Sequence, residues 1–243
     1  MRQAKRGARR RKAATSEGQP LAHAAAAQRS ARHVDPVFEA LRGRIANHEL
    51  LPGSKLRETE LAKEFGVSRT RVREVLGGLE QRGLIERIPN QGAVVARLDL
   101  KQISNIFSVR IYLEGLCIRQ ATLNAPSDVW RELLSQIGAS IEDELSRGEF
   151  ANYISYLHNL RSQMIRYSEN DLLATLLDLL YDKAEFIAKR VLILPGRWRV
   201  ALDLHRKLLR TMTEGDADKA EKIRRQILSS AHDAFEKYKD FVL

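Results

Sequence analysis

The chain has 243 residues, of which 44% are hydrophobic and 30% are charged. At about 150 residues per domain, this length predicts one or two folded domains. No run approaches the ~18 apolar residues of a membrane-spanning helix, and no apolar stretch follows the basic N-terminus as it would in a secretory signal. We therefore expect a cytoplasmic protein with no membrane partner. The single cysteine, Cys117, excludes an internal disulfide and a thiolate zinc finger.

The net charge of +10 is distributed unevenly along the chain. Residues 1–33 hold nine Lys and Arg against Glu17, a net charge of +8, whereas residues 34–98 carry +2 and residues 99–243 are neutral. Because the first segment lacks the apolar content to fold alone, we expect a disordered basic arm over residues 1–33. Such an arm can bind phosphate without sequence preference. A segment that only aids solubility, or a wrongly assigned start, explains this charge equally well.

From Asp35 the pattern changes to short amphipathic segments separated by turns. A first helix is predicted where three apolar residues share one face, namely Val37, Leu41 and Ile45. It ends before Pro52-Gly53. A second helix is predicted from about Glu58 to Phe65, ending at Gly66.

Ser68 is a good N-cap for a third helix, which ends at Gly83. Its inward face is formed by Val72, Val75, Leu76 and Leu79. Within it, Gly77 and Gly78 favour close packing against neighbouring elements. Two strands, 84–88 and 93–96, then flank a turn at 89–92. Three helices followed by a hairpin predict a winged helix-turn-helix domain over residues 34–98.

Beyond Leu98 the sequence shows long helical periods and no strand signals. Asp99 can cap the first helix, and Pro126-Ser127 begins the second, which we expect to continue to Leu145. Further helices are predicted at 150–168, 171–191, 197–213 and 216–238. No fixed repeat is visible, so residues 99–243 are predicted to form an all-α bundle of about six or seven helices. The predicted fold class is mainly α.

The third helix presents basic side chains on its outward side. With Val72 buried, Arg69 and Arg73 lie on one face, and Thr70 is in the first turn. The N-terminal residues of a recognition helix read base edges in the major groove, where arginine suits guanine. Alternatively, these arginines form a solvated face partly paired with Glu74.

The sequence resembles the GntR family of bacterial transcription regulators over about sixty-five residues. The resemblance is carried by Leu51-Pro52-Gly53-Ser54-Lys55-Leu56, Glu58-Thr59-Glu60-Leu61-Ala62, the run from Phe65 to Leu76, Leu79 and Gly83-Leu84-Ile85. It implies that Arg69, Thr70 and Arg73 contact operator DNA and that Asn90, Gln91 and Gly92 enter the adjacent minor groove. Two further positions of the interface depart from the family, because Arg71 replaces a usual proline and Thr59 a frequent DNA-contacting arginine.

The helical remainder resembles the FadR-type (FCD) ligand-binding domain. The features that agree are Val109-Arg110, Leu113-Glu114, Ser168-Glu169-Asn170, His205 and Gly215-Asp216. That family commonly holds a divalent metal through an Asp, a His four residues later and two further histidines. By resemblance, Leu157 and Arg161 occupy the first two positions, His205 the third, and Gln226 or Ile227 the fourth. With one ligand of four retained, we expect no metal and no other cofactor, and we interpret His158 and His232 as ordinary helix histidines.

A cation such as Arg161 inside a bundle needs a partner. The candidates are a protein acid such as Glu114 or an anionic ligand, although Arg110 and Glu114 are four apart and can pair with each other. We predict an effector site formed by Arg161, His205, Arg110 and Glu114 that binds a small acidic metabolite without metal. If the helix is shifted by one turn, Arg161 faces solvent instead.

Together these features predict a dimeric repressor that binds an inverted-repeat operator on double-stranded DNA and is released by a small carboxylate. An architectural DNA-binding protein that uses the basic arm without an effector is the alternative. An enzyme would need paired acids, a metal cluster or an activated nucleophile, and the sequence offers none of these.

Overall fold

The computed structural model describes residues 35–47, 49–97 and 99–242, and for Phe186, Phe241 and Val242 the backbone alone. The predicted basic arm at 1–33 lies outside the described residues. From Val37 onward the chain forms one compact unit. Its N-terminal part contains α1 (Pro36–Ala46), β1 (Lys55–Leu56), α2 (Glu58–Phe65), α3 (Arg69–Gln81), β2 (Ile85–Ile88) and β3 (Gly92–Val95).

This N-terminal part is a winged helix-turn-helix, as the sequence predicts. The three strands are antiparallel in the order β1-β3-β2, and both Lys55 and Glu86 pair with Val94. Strand β1 is absent from the sequence-based assignment because its two residues are too short to show alternation. The three helices and the sheet enclose one apolar core, whose fully buried members include Leu41, Val72, Leu76 and Leu79.

Local chemistry sets the limits of the third helix. The Ser68 hydroxyl accepts a hydrogen bond from the Arg71 amide at 3.2 Å, which satisfies one of the free donors at the start of α3. Gly83 then turns the chain into β2 at φ 66°, a left-handed conformation that favours glycine. Gly78 packs closely as expected, since a Cβ there would lie 3.1 Å from the Phe38 ring. At Gly77 nothing lies within 4 Å.

The C-terminal part is all α in the described residues, as predicted. Its helices are α4 (Leu100–Asn124), α5 (Ser127–Gln136), α6 (Ala139–Ser146), α7 (Ala151–Ser168), α8 (Asp171–Leu192), α9 (Arg197–Thr213) and α10 (Ala217–Val242). Asp99 caps α4 in a reciprocal capping box with Gln102. Helix α4 packs against α7, α8 and α10, around a core that includes Trp130, Tyr153 and Leu160.

One predicted helix is divided in two. The helix expected to run from Ser127 to Leu145 ends at Gln136, and a new helix begins at Ala139. Glycine weakens a helix interior, and Arg206 of α9 fixes the break because its guanidinium donates to the carbonyls of Ile137 at 2.9 Å and Gly138 at 3.1 Å. The expectation of one continuous helix is therefore wrong.

Cys117 of α4 lies in the bundle core, and burial raises the pKa of its thiol to about 12.

None of the helices in the described ranges is long and apolar enough to cross a membrane.

Candidate nucleic-acid interface and ligand pocket

The outward face of α3 is exposed and basic. Arg69, Thr70, Arg71 and Arg73 are all exposed, while Val72 between them is fully buried. Thr59, in the first turn of α2, is exposed as well. A helix with a buried side and this cationic side can enter a DNA groove without losing its packing.

Glu58 of α2 organises two of these arginines. Its carboxylate accepts from Arg73 Nε at 2.9 Å and lies 3.7 Å from Arg69 Nη2. The hydrogen bond from Arg73 and the charges of both arginines lower the pKa of Glu58. Glu74 pairs with Arg71 at 2.8 Å, as the alternative of a solvated, partly paired face expects. Arg69 and Arg73 thus lie side by side around one carboxylate.

The wing turn between β2 and β3 is exposed at all three predicted positions, Asn90, Gln91 and Gly92. Asn90 (φ 63°) and Gly92 (φ 82°) adopt left-handed conformations, which let the hairpin reverse tightly. The result is a narrow projection without bulky side chains, a shape that fits a minor groove.

A cavity of about 120 Å³ lies inside the helical bundle, between α4, α7, α8, α9 and α10. Three of the four predicted effector residues line it, namely Arg110, Arg161 and His205. The expectation that Arg161 faces solvent if the helix is shifted does not hold, because Arg161 borders the cavity with its guanidinium 3.8 Å from the Tyr181 ring centroid. Two further arginines, Arg197 and Arg224, complete the charged lining.

Glu114 lies behind the cavity wall, fully buried between two arginines. Its carboxylate accepts from Arg110 Nη2 at 2.7 Å and from Arg224 Nε at 2.8 Å. Burial alone would raise the pKa of Glu114, but the two positive charges outweigh burial and lower the pKa to about 2. Glu114 therefore neutralises charge in this region and is not available to a ligand.

The hydrogen bonds of His205 define its tautomer. Nδ1 lies 2.8 Å from the Ala201 carbonyl oxygen and 2.8 Å from the Tyr153 hydroxyl. Because a carbonyl can only accept, Nδ1 carries the proton, and Nε2 accepts from Arg224 Nη1 at 3.4 Å. Burial and the nearby charge of Arg224 lower the pKa of His205 to about 3, so the ring is neutral at physiological pH.

The cavity also contains polar atoms that lack partners. Arg197 donates through Nη2 to the Ile227 carbonyl at 3.3 Å, while its buried Nη1 has no hydrogen-bond partner. The buried hydroxyl of Tyr181 also has none. Arg161 forms no ion pair with a carboxylate of the described residues. Burial lowers the pKa of both Arg161 and Arg197, because desolvation disfavours the charged form of each guanidinium.

The residues around the cavity do not fit a divalent metal. Leu157, Arg161 and Ile227 line it where the family has ligands, and none of these can coordinate. No group of three or more His, Cys, Asp or Glu in the described ranges could hold a metal ion. His158 pairs with Glu185 at 3.2 Å, and His232 contacts Ser104 at 3.2 Å, both outside the cavity lining.

Sequence reasoning missed Arg197 and Arg224, although each carries a signal. Arg224 lies on the buried stripe of α10, between Ala220 and Leu228 at four-residue spacing. Arg197 precedes Ala201 and His205 at the same spacing on α9. A basic residue on an otherwise apolar stripe indicates a charge directed inward.

A second unpredicted cluster joins the winged helix to the bundle. Arg82, just after α3, donates to Asp178 at 2.7 Å and to Asp182 at 2.6 Å. Arg42 of α1 binds the same two aspartates on α8, at 3.1 Å to Asp178. We call these four residues the α8 clamp. The Asp182 side chain is 2% exposed, so it is enclosed by its two arginines.

Comparisons with known families agree with this architecture. Residues 34–95 match the bacterial regulatory proteins of the gntR family, and residues 105–230 match the FCD domain.

Individual proteins are similar over different lengths. YdhC of Bacillus subtilis (strain 168), an uncharacterized HTH-type transcriptional regulator, is 27% identical over 188 residues, 75% of this chain and 82% of that protein. An uncharacterized HTH-type regulator in the TAR-I ttuE-ttuC' intergenic region of Agrobacterium vitis is 35% identical over 98 residues, 40% of this chain and 57% of that relative. The match thus spans little more than half of that relative. The solved structure of E. coli McbR/YncC superposes with a TM-score of 0.67 at 21% identity, covering 83% of this chain and 96% of that one, which shows a shared fold.

Proposed function

This chain belongs to the gntR family of bacterial regulatory proteins and carries an FCD domain, and we propose that it represses transcription from an inverted-repeat operator until a small carboxylate releases it. It is a DNA-binding transcriptional regulator and not an enzyme. Because it binds operator DNA, the proposal places it in the cytoplasm.

The operator contacts in this proposal are those implied by family resemblance. Arg69, Thr70 and Arg73 read base edges, with Arg71 and Thr59 beside them, and the wing turn 90–92 enters the minor groove. Their common exposure supports this assignment. The position of Glu58 supports it as well, since the carboxylate lies within 4 Å of both Arg69 and Arg73 and places the two guanidinium groups on one side of α3.

The effector in this proposal is a small carboxylate that binds without metal. Arg161 lines the cavity with no carboxylate partner among the described residues, and guanidinium binds carboxylate through two parallel hydrogen bonds. His205, as a neutral ring, and Arg110 border the same space. The positive charge that a metal would supply therefore comes from the protein.

The observation that supports control of DNA binding by a ligand is that adjacent residues of α8 contact the cavity and the winged helix. Tyr181 faces the cavity and stacks under Arg161, while Asp182 binds Arg42 and Arg82 of the winged helix. An acid that pairs with Arg161 changes its stacking on Tyr181. A shift of α8 then changes the α8 clamp and the placement of α3. Ligand thereby favours an arrangement in which the two recognition helices of a dimer no longer match the half-sites.

A homodimer is part of the proposal because an inverted repeat needs two recognition helices. Two exposed apolar stripes support self-association through the bundle. Val109, Tyr112, Leu116 and Leu123 follow one face of α4, and Leu172, Leu176 and Leu179 follow one face of α8. Such stripes exceed the scattered apolar residues of an ordinary surface. Light scattering on a Tyr112→Glu variant tests this, with a dimer expected for the wild type and a monomer for the variant.

The test of the proposed function is selection of binding sites from random DNA with the full-length protein, followed by titration of the selected site with small acids. The proposal expects the selected site to be an inverted repeat. The protein should stay bound to it at moderate salt and dissociate when the small carboxylic acid is added. Binding without sequence preference at moderate salt would instead identify an architectural DNA-binding protein.

A further inference from the structure

The cavity contains more positive charge than one carboxylate can neutralise. Four arginines line it, namely Arg110, Arg161, Arg197 and Arg224. Arg110 and Arg224 share the carboxylate of Glu114, so each has an anionic partner within the protein. Arg161 and Arg197 have no such partner among the described residues. Arg161 and Arg197 are therefore the two guanidinium groups of the lining that have no carboxylate partner in the described residues.

These two groups belong to different parts of the cavity wall. Arg161, on α7, stacks on Tyr181 of α8. Arg197 begins α9 and donates to the Ile227 carbonyl of α10. A chain of hydrogen bonds also lines this region, from Glu114 through Arg224 to His205. A single carboxylate at one group would leave the other uncompensated.

Near each of these two arginines lies a buried polar atom without a hydrogen-bond partner. Beside Arg161 this is the Tyr181 hydroxyl, and at the other site it is Nη1 of Arg197 itself. A buried donor without an acceptor costs free energy, and a buried cation without an anion costs more. Both costs disappear if one ligand brings an anionic group to each end.

We propose that the cavity binds a small dicarboxylate whose two carboxylates pair separately with Arg161 and Arg197. This inference rests on the proposed function and specifies the chemical class of its effector. The cavity volume of about 120 Å³ favours a short carbon chain. It is well below the ~300–1,000 Å³ of sites for drug-sized ligands.

The test compares acids that differ in one charge and little in size. Malonate, succinate and glutarate are titrated into the full-length protein by calorimetry, each beside its half-amide. We expect at least one diacid to bind roughly 10- to 100-fold more tightly than its half-amide, because charge-assisted hydrogen bonds contribute that much. Equal binding of diacid and half-amide in every pair overturns the inference but leaves a monocarboxylate sensor. Binding of no acid overturns the proposed carboxylate site and the inference with it.

Two variants assign the two ends. In Arg161→Gln and in Arg197→Gln, the preference for diacid over half-amide should fall to within about threefold, because either change leaves one cationic end. A preference that persists in Arg197→Gln overturns the assignment. Arg166→Gln on α7 and Arg210→Gln on α9 are matched controls, since both arginines are exposed on the same helices, and should keep the full preference.

Neither cavity variant should unfold the protein. Each removes a desolvated cation that has no anionic partner, so the melting temperature of the ligand-free variants is expected to equal or exceed that of the wild type. Should Arg197→Gln fail to fold, Arg197→Met removes the same charge with an unbranched, adaptable side chain, and the same loss of diacid preference is expected.

Discussion

Replacing Asp182 by asparagine should weaken both the stability of the protein and its response to ligand. The Asp182 side chain is 2% exposed and binds Arg42 and Arg82. Breaking a buried ion pair by removing one partner costs about 3 kcal/mol or more. Since the two arginines remain 26% and 20% exposed and keep Asp178, we expect the lower end, about 3 kcal/mol. For a chain of 243 residues this corresponds to a fall in melting temperature of about 6–12 °C.

Asp178→Asn is the matched control. Asp178 lies one turn earlier on α8 and binds the same arginines, but its side chain is 44% exposed. An exposed ion pair contributes at most about 1 kcal/mol. Calorimetric melting should therefore separate the two variants clearly. Equal losses would refute the argument that burial of Asp182 gives the α8 clamp its strength.

The functional consequence of Asp182→Asn is a separate readout. If the α8 clamp transmits ligand binding, the variant should bind acid with nearly wild-type affinity but release operator less completely. Calorimetry of acid binding and anisotropy of a labelled operator measure the two properties independently. Unchanged release in a folded variant would show that another contact carries the signal.

Three further predictions concern the DNA contacts, the basic arm and pH. Arg69→Ala or Arg73→Ala should cost roughly 1–3 kcal/mol at the operator but much less on random DNA, and equal losses in a binding titration would show contact with phosphate alone. Deleting residues 1–33 should lower nonspecific affinity and its dependence on salt while keeping operator preference, whereas loss of the preferred sequence would identify the arm as a base reader. His205 has a pKa lowered to about 3, so between pH 3 and its ordinary value of 6.5 the unfolded chain binds a proton that the folded protein does not. The contribution of His205 to the free energy of unfolding is therefore complete above pH 6.5 and falls by about 1.4 kcal/mol per pH unit as pH falls through that range. Denaturant unfolding at several pH values gives the free energy of unfolding as a function of pH. This dependence on pH should be weaker in His205→Gln, and an unchanged dependence would contradict a neutral His205.

Features that depend on neighbouring residues were predictable from the sequence. Ser68 caps α3 because its hydroxyl lies three residues from the amide it accepts from, and apolar periodicity placed the buried faces of most helices. The pairing of Arg110 with Glu114 follows from a four-residue spacing on one helix.

Features that depend on distant residues were not predictable. Helix α5 ends at Gln136, where Arg206, far along the chain, donates hydrogen bonds to the carbonyls of Ile137 and Gly138. Arg224 is separated by 110 residues from Glu114, so no local pattern indicates their contact. The α8 clamp likewise joins Arg82 to Asp182 across 100 residues. The family resemblance indicated that a charged site exists in the bundle, but the full set of its residues required the three-dimensional arrangement.

The most direct test of the account is anisotropy of a labelled operator bound by the wild type and by Arg161→Gln, each titrated with the acid that binds the wild type most tightly. The operator affinity of each protein without acid serves as its own reference, because Arg161→Gln also removes the stacking on Tyr181. Acid should release the wild type and leave the variant bound. A wild-type complex that acid does not release, or a variant released at the same acid concentration, would contradict control of operator binding through this cavity.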